Sequence, residues 1–378
     1  MALDWGCLKL LGVVDYGGHG GVDRRVALDW GNAIKTLPWE LGTLIWLCLL
    51  IVGTVRNMKR NTKEGRGSTS DIISNLLENI KATVLVCLPI QDAVRTSVLS
   101  TKWRYIWTKL PQLVFDDNFC RESARKSKTE LMMTIYQVLT SSWTNTQEFT
   151  LPIQKGEPYK LMSSLFSCEQ LRYLSLHSCV FKSPPEFKGF SRLVELVLYR
   201  VFVASNTLSS LISSCPLLEK LSLKRSFSSD CLEINAPNLR FLVCEIYGSS
   251  ICLKNTARLA WVSICFMGIF NVEGITEAET SKLVTLFGSL PVIEFLLLEY
   301  HTIRYMSAGG VPKRLPTTLN NLKTLKLLSI CFAEVNEISV ILCLIRSSPN
   351  LEKITIVVRR CETADVIDHV LQLLEMQD

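Results

Sequence analysis

A short leucine pattern recurs through the second half of the chain and restricts its fold more than any other feature. The pattern Leu-x-x-Leu-x-Leu begins at Leu171 and returns at Leu193, at Leu218 and, without its last leucine, at Leu239, so successive copies start 21 to 25 residues apart. Each copy has the length of one short strand, and a single strand cannot bury its own leucines. Copies therefore have to stack and share one continuous core. The sequence predicts an α/β solenoid over residues 165–314.

Further copies, the first two of them weaker, extend this series toward the C terminus. They begin at Leu259, Ile293, Leu322 and Leu351. Proline-containing turns separate several copies, and two segments that precede such turns, 208–214 and 340–347, are predicted as short helices on the convex side. The solenoid is therefore expected to continue beyond residue 314.

The residues between the leucines form the predicted binding surface. Side chains alternate between the two faces of a strand, so these residues share one concave face while the leucines point inward. A surface of this kind binds macromolecules or small ligands, although each residue could also be plain exposed surface. The candidates for client binding are Tyr173, His177, Glu195, Tyr199, Lys220, Lys224, Phe295 and Glu299.

A different pattern precedes the repeats. Apolar residues recur at three-to-four spacing over 77–88, which predicts an amphipathic helix that Pro89 ends. A second short helix is predicted over 90–98, followed by a third that carries Trp103 and Trp107 in its core. Such a small module leaves apolar surface for a partner. The alternative is an ordinary helical bundle with no partner.

The helical segment resembles the F-box of the plant F-box/FBD/LRR-repeat family, most clearly over 71–79, 87–104 and 110–117. The resemblance implies that this module docks a Skp-type adaptor, which binds a cullin, and that the leucine-rich repeats hold a protein for ubiquitination. Leu77 stands where the family usually has proline, so the first helical turn lacks a preset φ. The residues expected to face the adaptor are Leu76, Leu77, Ile80, Leu88, Pro89, Ile90, Asp92 and Val94.

The resemblance and the repeats together divide the chain into five parts. The first is an atypical extension that is expected to be disordered, and the last resembles a truncated FBD segment with terminal repeats and a capping helix over 365–374. The parts are the extension at 1–66, the F-box at 67–115, a linker and solenoid cap at 116–164, the repeats at 165–314 and the FBD-like segment at 315–378.

Charge and cysteine spacing argue against several classes of function. The net charge of +6 is concentrated in two runs, 56–66 and 121–128, so no basic face for nucleic acid is expected. The 14 cysteines include no Cys-x-x-Cys pair and the four histidines are scattered, so neither a metal site nor a cofactor is expected. Cysteines within aliphatic runs are expected to be reduced hydrophobes, which favours the cytoplasm and/or nucleus.

A catalytic site is also not expected. The acidic pair Asp116 and Asp117, and the pair Glu299 and His301, lie beside predicted strands without a motif that joins a nucleophile to a base. The favoured interpretation is a non-catalytic ligase adaptor with no catalytic residues.

An uncharged apolar stretch over 41–55 leaves an alternative open. It is shorter than the ~20 residues that span a bilayer, so a membrane partner is not expected. If the stretch were an anchor, the chain would be a membrane-tethered leucine-rich-repeat scaffold without a ligase role. Under the favoured interpretation, residues 1–57 are dispensable for function.

Overall fold

The computed structural model describes most of residues 78–359. Its gaps are 99–100, 117–118, 120–127, 143, 154–156, 228–230, 248–249, 268–285, 289, 291, 308–310, 312 and 332–334. Several predicted features therefore lie outside the described residues: the N-terminal extension with its apolar stretch, Leu76, Leu77 and the capping helix over 365–374.

The leucine units fold as neighbouring strands of one parallel sheet. The strands in chain order are β1 Gln112–Val114, β2 Glu148–Leu151, β3 Tyr159–Lys160, β4 Tyr173–His177, β5 Cys179–Val180, β6 Glu195–Tyr199, β7 Lys220–Phe227, β8 Leu232–Asn235, β9 Phe241–Tyr247, β10 Ile251–Lys254, β11 Trp261–Phe266, β12 Phe295–Glu299, β13 Thr324–Ile330 and β14 Lys353–Val358. Within the described residues the main sheet runs β1-β2-β4-β6-β7-β9-β11-β12-β13-β14. All eight predicted leucine units are confirmed as strands of this sheet.

The strands pair so that the leucines of successive repeats lie side by side. Leu174 is opposite Leu196, which is opposite Leu221, and Leu221 is opposite Leu242. All four side chains are almost fully buried. Burying a leucine contributes about 1.5–3 kcal/mol, so this shared core is the main source of the sheet's stability.

The sheet begins two strands before the first predicted repeat. β2 pairs with β4, and β1 pairs with β2, so that Phe149 lies beside Leu174 in the core. β2 lies within 116–164, the segment predicted as a linker and solenoid cap. Its sequence, Glu-Phe-Thr-Leu, is too short to show the leucine periodicity, although its two apolar residues follow the same alternation.

The helices lie outside the main sheet. They are α1 Glu78–Val86, α2 Ile90–Arg95, α3 Lys128–Ser142, α4 Ser205–Ser213, α5 Tyr300–Ser307 and α6 Val335–Arg346, with 3-10 helices at Thr96–Val98, Ile106–Lys109 and Ser163–Ser167. The helices predicted over 208–214 and 340–347 are confirmed as α4 and α6. In the part of the chain that the structure describes, no helix is long and apolar enough to cross a membrane.

The third helix predicted before the repeats takes a different form. Residues 101–105 form turns, and Ile106–Lys109 is a 3-10 helix rather than an α-helix. β-Branched and aromatic residues lose side-chain freedom in an α-helix, and this segment is rich in both. The predicted core positions are nevertheless correct, since Trp103 and Trp107 are buried.

Four non-glycine residues near the ends of repeat strands have a left-handed backbone conformation. Ser178, Arg200, Arg225 and Ser329 have φ between 49° and 62°, and each comes one residue after the third concave position of its strand. Non-glycine residues rarely adopt this conformation, so its recurrence indicates that the repeat geometry imposes it. The backbone is therefore bent at the same place in the repeats of β4, β6, β7 and β13.

Most described cysteines are inert core residues, as predicted. Burial raises the pKa of the Cys168, Cys179 and Cys244 thiols to about 12, and that of Cys215 to about 11. The expectation of reduced thiols is wrong at Cys331, which is disulfide-bonded. Sequence spacing does not show which thiols approach one another in a fold, and that approach decides whether a disulfide forms.

A buried threonine attaches α5 to the sheet. The Thr302 Oγ1 donates to the carbonyl of Ile264 at 3.1 Å and accepts the amide hydrogen bond of Phe266 at 3.2 Å. We expect Thr302→Val to lower the free energy of unfolding by about 2 kcal/mol, because it removes both hydrogen bonds of the hydroxyl and takes the acceptor from the buried Phe266 amide. Chemical denaturation would measure the loss. The exposed Thr318→Val should change stability little, and equal effects of the two variants would contradict this account.

Candidate functional site

The side chains on the concave side of the main sheet form three rows, with at most one residue from each strand in each row. The first row contains Glu148, Tyr173, Glu195, Lys220, Phe241, Trp261, Phe295, Thr324 and Lys353. The middle row is made mostly of small side chains, from Thr150 through Ser175 and Ser222 to Ser263. The third row includes His177, Tyr199, Lys224, Glu245 and Glu299.

The structure brings all eight predicted client-binding residues onto this face. Tyr173, Glu195, Lys220 and Phe295 lie in the first row, and His177, Tyr199, Lys224 and Glu299 lie in the third. All eight are at least partly exposed. Their placement follows the prediction, but nothing in the structure tests whether they bind a client.

Aromatic rings form a stack in the first row that the sequence interpretation missed. Trp261 and Phe295 lie nearly parallel, with ring centroids 4.7 Å apart and planes 4° apart. Phe241, which is 42% exposed, lies 6.4 Å from Trp261. Phe241 and Trp261 each stand two residues after the first leucine of a repeat, the same offset as Tyr173, so this offset was the signal that could have identified them.

Two lysines of the concave face are neutralised by neighbouring carboxylates. The Lys220 Nζ lies 3.3 Å from Glu195 Oε2 and 5.8 Å from the centroid of the Phe241 ring. The Lys224 Nζ lies 3.9 Å from Glu245 Oε1 in the third row. Exposed pairs of this kind contribute at most about 1 kcal/mol to stability, so their main effect is on the local charge.

A thiol and two carboxylates occupy the third row beside these pairs. Burial raises the pKa of the Cys265 thiol, and the carboxylates of Glu299 and Glu245 raise it further. Burial also raises the pKa of the Glu245 carboxyl, although Lys224 acts in the opposite direction. A thiol held protonated in this way is a poor nucleophile.

Asp116, from the other candidate pair, has a structural role, and its neighbour Asp117 lies outside the described residues. Asp116 Oδ1 accepts a hydrogen bond from the amide of Phe119 at 2.7 Å, so it stabilises the turn after β1. Among the described residues, no group of three or more histidine, cysteine or acidic side chains could hold a metal ion.

The helical segment before the sheet presents a partly apolar surface. Pro89 is exposed, and Ile80, Leu88 and Val94 are half-buried. Two other predicted adaptor residues are interior: Ile90 is 6% exposed, and Asp92 is 3% exposed with its Oδ1 2.9 Å from Arg95 Nη1. The sequence identified Ile90 as an apolar position and Asp92 as a residue near the start of a helix. It could not show that both side chains are buried.

The helical segment is continuous with the sheet. A shallow cleft between the two is lined by Leu85, Val86, Leu88, Ile90, Leu110, Gln112 and Val114. Leu110 is buried and ends the 3-10 helix two residues before β1 begins. The helices and the first strand therefore share one packed boundary.

Comparison with known proteins assigns these features to a family. Residues 139–356 match a family profile described as FBD-associated F-box protein At5g56370, LRR repeats. The chain is also 36% identical to F-box/FBD/LRR-repeat protein At1g13570 of Arabidopsis thaliana, with 77% of this chain and 76% of that protein covered. The chain belongs to the F-box/FBD/LRR-repeat family.

Other family members are more distant in sequence. FBD-associated F-box protein At5g56370 of Arabidopsis thaliana is 27% identical, with 75% of this chain and 74% of that protein covered. Putative F-box/FBD/LRR-repeat protein At1g66290 of the same plant is 29% identical over half of this chain. No solved structure matches this F-box/FBD/LRR-repeat chain.

Proposed function

We propose that this chain is the substrate-recognition subunit of a Skp-cullin-F-box ubiquitin ligase. In this proposal residues 67–115 are the F-box and bind a Skp-type adaptor, through which the chain joins a cullin. The concave face of the repeats binds the client protein. The observation that carries the proposal is membership of a family whose members are named for an F-box and leucine-rich repeats.

The arrangement of the two surfaces supports a role in positioning rather than in bond chemistry. The helical segment packs directly against β1, so a client on the sheet would be held at a defined distance from an adaptor on the helices. Holding two proteins together in this way raises their effective concentration without a catalytic residue. The structure therefore offers a physical route by which the chain would promote ubiquitination.

The proposed adaptor surface centres on the exposed and half-buried apolar residues of the helical segment. These are Ile80, Leu88, Pro89 and Val94. Leu76 and Leu77 complete the proposed surface but lie outside the described residues. We propose that Ile90 and Asp92 support this surface from within, since both are buried.

Charging this surface tests the proposal. We expect the double substitution Leu88→Asp with Val94→Asp to reduce binding of a purified Skp-type adaptor by about a hundredfold or more, because apolar anchors at an interface are worth about 2 kcal/mol or more each. Surface plasmon resonance would measure the affinity. Both side chains are partly exposed, so the thermal midpoint should fall much less than it would for a charge at Ile90.

The matched control is Thr83→Asp, which adds a charge on the exposed side of α1. It should leave adaptor affinity within about twofold of the native value, as expected for a surface substitution away from the interface. Native adaptor binding by the double variant would show that the proposed surface is wrong. Failure of the unaltered chain to bind any Skp-type adaptor would remove the ligase proposal itself.

A further inference from the structure

The aromatic stack on the concave face ends at Phe295, which has an aromatic neighbour on one side only. Phe295 stacks on Trp261 on one side, and on its other side the next residue in the row is Thr324. In the described part of the chain, Phe295 makes no other ring contact. Thr324 is partly exposed and short, so its own side chain can cover little of the Phe295 ring on the side toward β13.

The uncovered position has the dimensions of one more planar group. Neighbouring strands lie about 4.8 Å apart, which is close to the 4.7 Å that separates the Trp261 and Phe295 rings. A ring above Thr324 would therefore continue the stack with the same spacing. Beyond Thr324 in the same row lies the exposed side chain of Lys353. We call this position, bounded by Phe295, Thr324 and Lys353, the row-end slot.

The charges around the row-end slot differ from those elsewhere on the face. Lys326 follows Thr324 by two residues on β13 and so faces the same side, and Lys353 is on β14. Neither lysine forms an ion pair with another described residue. By contrast, Lys220 and Lys224 are each neutralised by a glutamate. The strands β13 and β14 contain no acidic residue, and β12 places one carboxylate, that of Glu299, in the third row opposite Leu328. Two lysines against one carboxylate leave this end of the face with net positive charge.

The two lysines determine which kind of planar side chain from a partner could bind in the slot. An arginine side chain could stack on Phe295, but it would be repelled by Lys326 and Lys353. An aromatic ring could stack on Phe295 and also accept the Lys353 ammonium on its other face. Carboxylates beside that ring would pair with the two lysines.

We infer that the row-end slot binds an aromatic side chain of a client segment whose neighbouring residues are acidic. This inference rests on the proposed function, since it takes the concave face as the client surface. The segment lies in extended form across the strands, along the middle row, which near the slot contains Leu297, Lys326 and Thr355. The slot therefore sets the sequence preference of the client, while the adaptor surface has no part in that choice.

Peptide selection on the intact chain tests this preference. The probe is a phage-displayed library of random peptides of about nine residues, enough to cross several strands in extended form. We expect the unaltered chain to enrich peptides with one aromatic residue flanked by aspartate or glutamate. The double substitution Lys326→Glu with Lys353→Glu should instead enrich an aromatic residue flanked by lysine or arginine, and should bind the original peptides about tenfold or more weakly.

Two sets of control variants separate the slot from general effects on charge or folding. The substitutions Lys160→Glu with Lys182→Glu make the same charge change at exposed sites away from the concave face, and should leave the selection unchanged. Thr324→Phe places a ring in the slot within the chain, and should weaken peptide binding about tenfold without lowering the thermal midpoint. Thr324→Ser leaves the slot open and should bind peptides normally.

Several outcomes would overturn the inference. The enriched peptides could lack an aromatic residue, the charge-reversed variant could keep the acidic preference, or Thr324→Phe could bind as well as Thr324→Ser. A chain that selects no peptide, forms a dimer and becomes monomeric with Thr324→Phe would assign the slot to a second copy instead. Adaptor affinity should be measured on the same samples, because it tests the proposed ligase function separately. If the adaptor binds normally and peptide selection fails, this inference is wrong and the proposed function still stands.

Discussion

Replacing Gly189 by alanine is expected to lower the free energy of unfolding by about 3 kcal/mol or more. Gly189 lies between β5 and β6 with φ of +95°, a conformation that side chains disfavour. An added Cβ would also overlap the Cβ and the carbonyl group of Ser214, at the end of α4. The backbone at Gly189 touches the end of α4, the helix that follows β6. The overlap can be relieved only if this backbone and α4 move apart. Urea denaturation would measure the loss.

The same substitution at Gly288 is the control. A Cβ there would lie 3.2 Å from the Thr317 Oγ1, and only a side chain would have to move. We expect Gly288→Ala to change stability by less than about 1 kcal/mol. Similar stabilities for the two variants would show that the approach of Gly189 to Ser214 is not a close contact.

Replacing Trp103 by alanine is expected to destabilise the helical segment by about 3–5 kcal/mol. Trp103 is fully buried, and the Nζ of Lys81, itself 3% exposed, lies 5.6 Å from the centroid of its ring. The substitution therefore removes a large core side chain and also the aromatic face that a buried ammonium contacts. Hydrogen exchange of the α1 amides and thermal unfolding would both report the loss.

An aromatic residue two positions away provides the control for this prediction. Tyr105 is 69% exposed, so Tyr105→Ala should alter stability by less than about 0.5 kcal/mol. If Trp103→Ala increased hydrogen exchange equally in α1 and in the central strands β7 and β9, the helical segment and the repeats would unfold as one unit. If Trp103→Ala were as mild as Tyr105→Ala, Trp103 would not be part of the core.

The repeat architecture could be predicted because its determinants are local. Leu174 and Leu176 must point inward for their own strand to be stable, and the same two positions recur in each copy. That requirement also places the residues between them, such as Tyr173 and His177, on the opposite face. Strand positions, the inward leucines and the eight candidate residues of the concave face all followed from this alternation.

Other features depend on which repeats become neighbours. Trp261 and Phe295 are 34 positions apart in sequence and stack only because β11 and β12 pair in that register. The pairing of Lys220 with Glu195 is likewise decided between strands, as is the lack of such a partner for Lys353 among the residues that the structure describes. The amphipathic pattern of the helical segment could not show that Ile90 faces the core. In the repeats, the sequence by itself determined which side chains leave water, since alternation along one strand depends on a residue's immediate neighbours. Only the tertiary structure decided which exposed side chains meet, since those contacts join residues from different repeats.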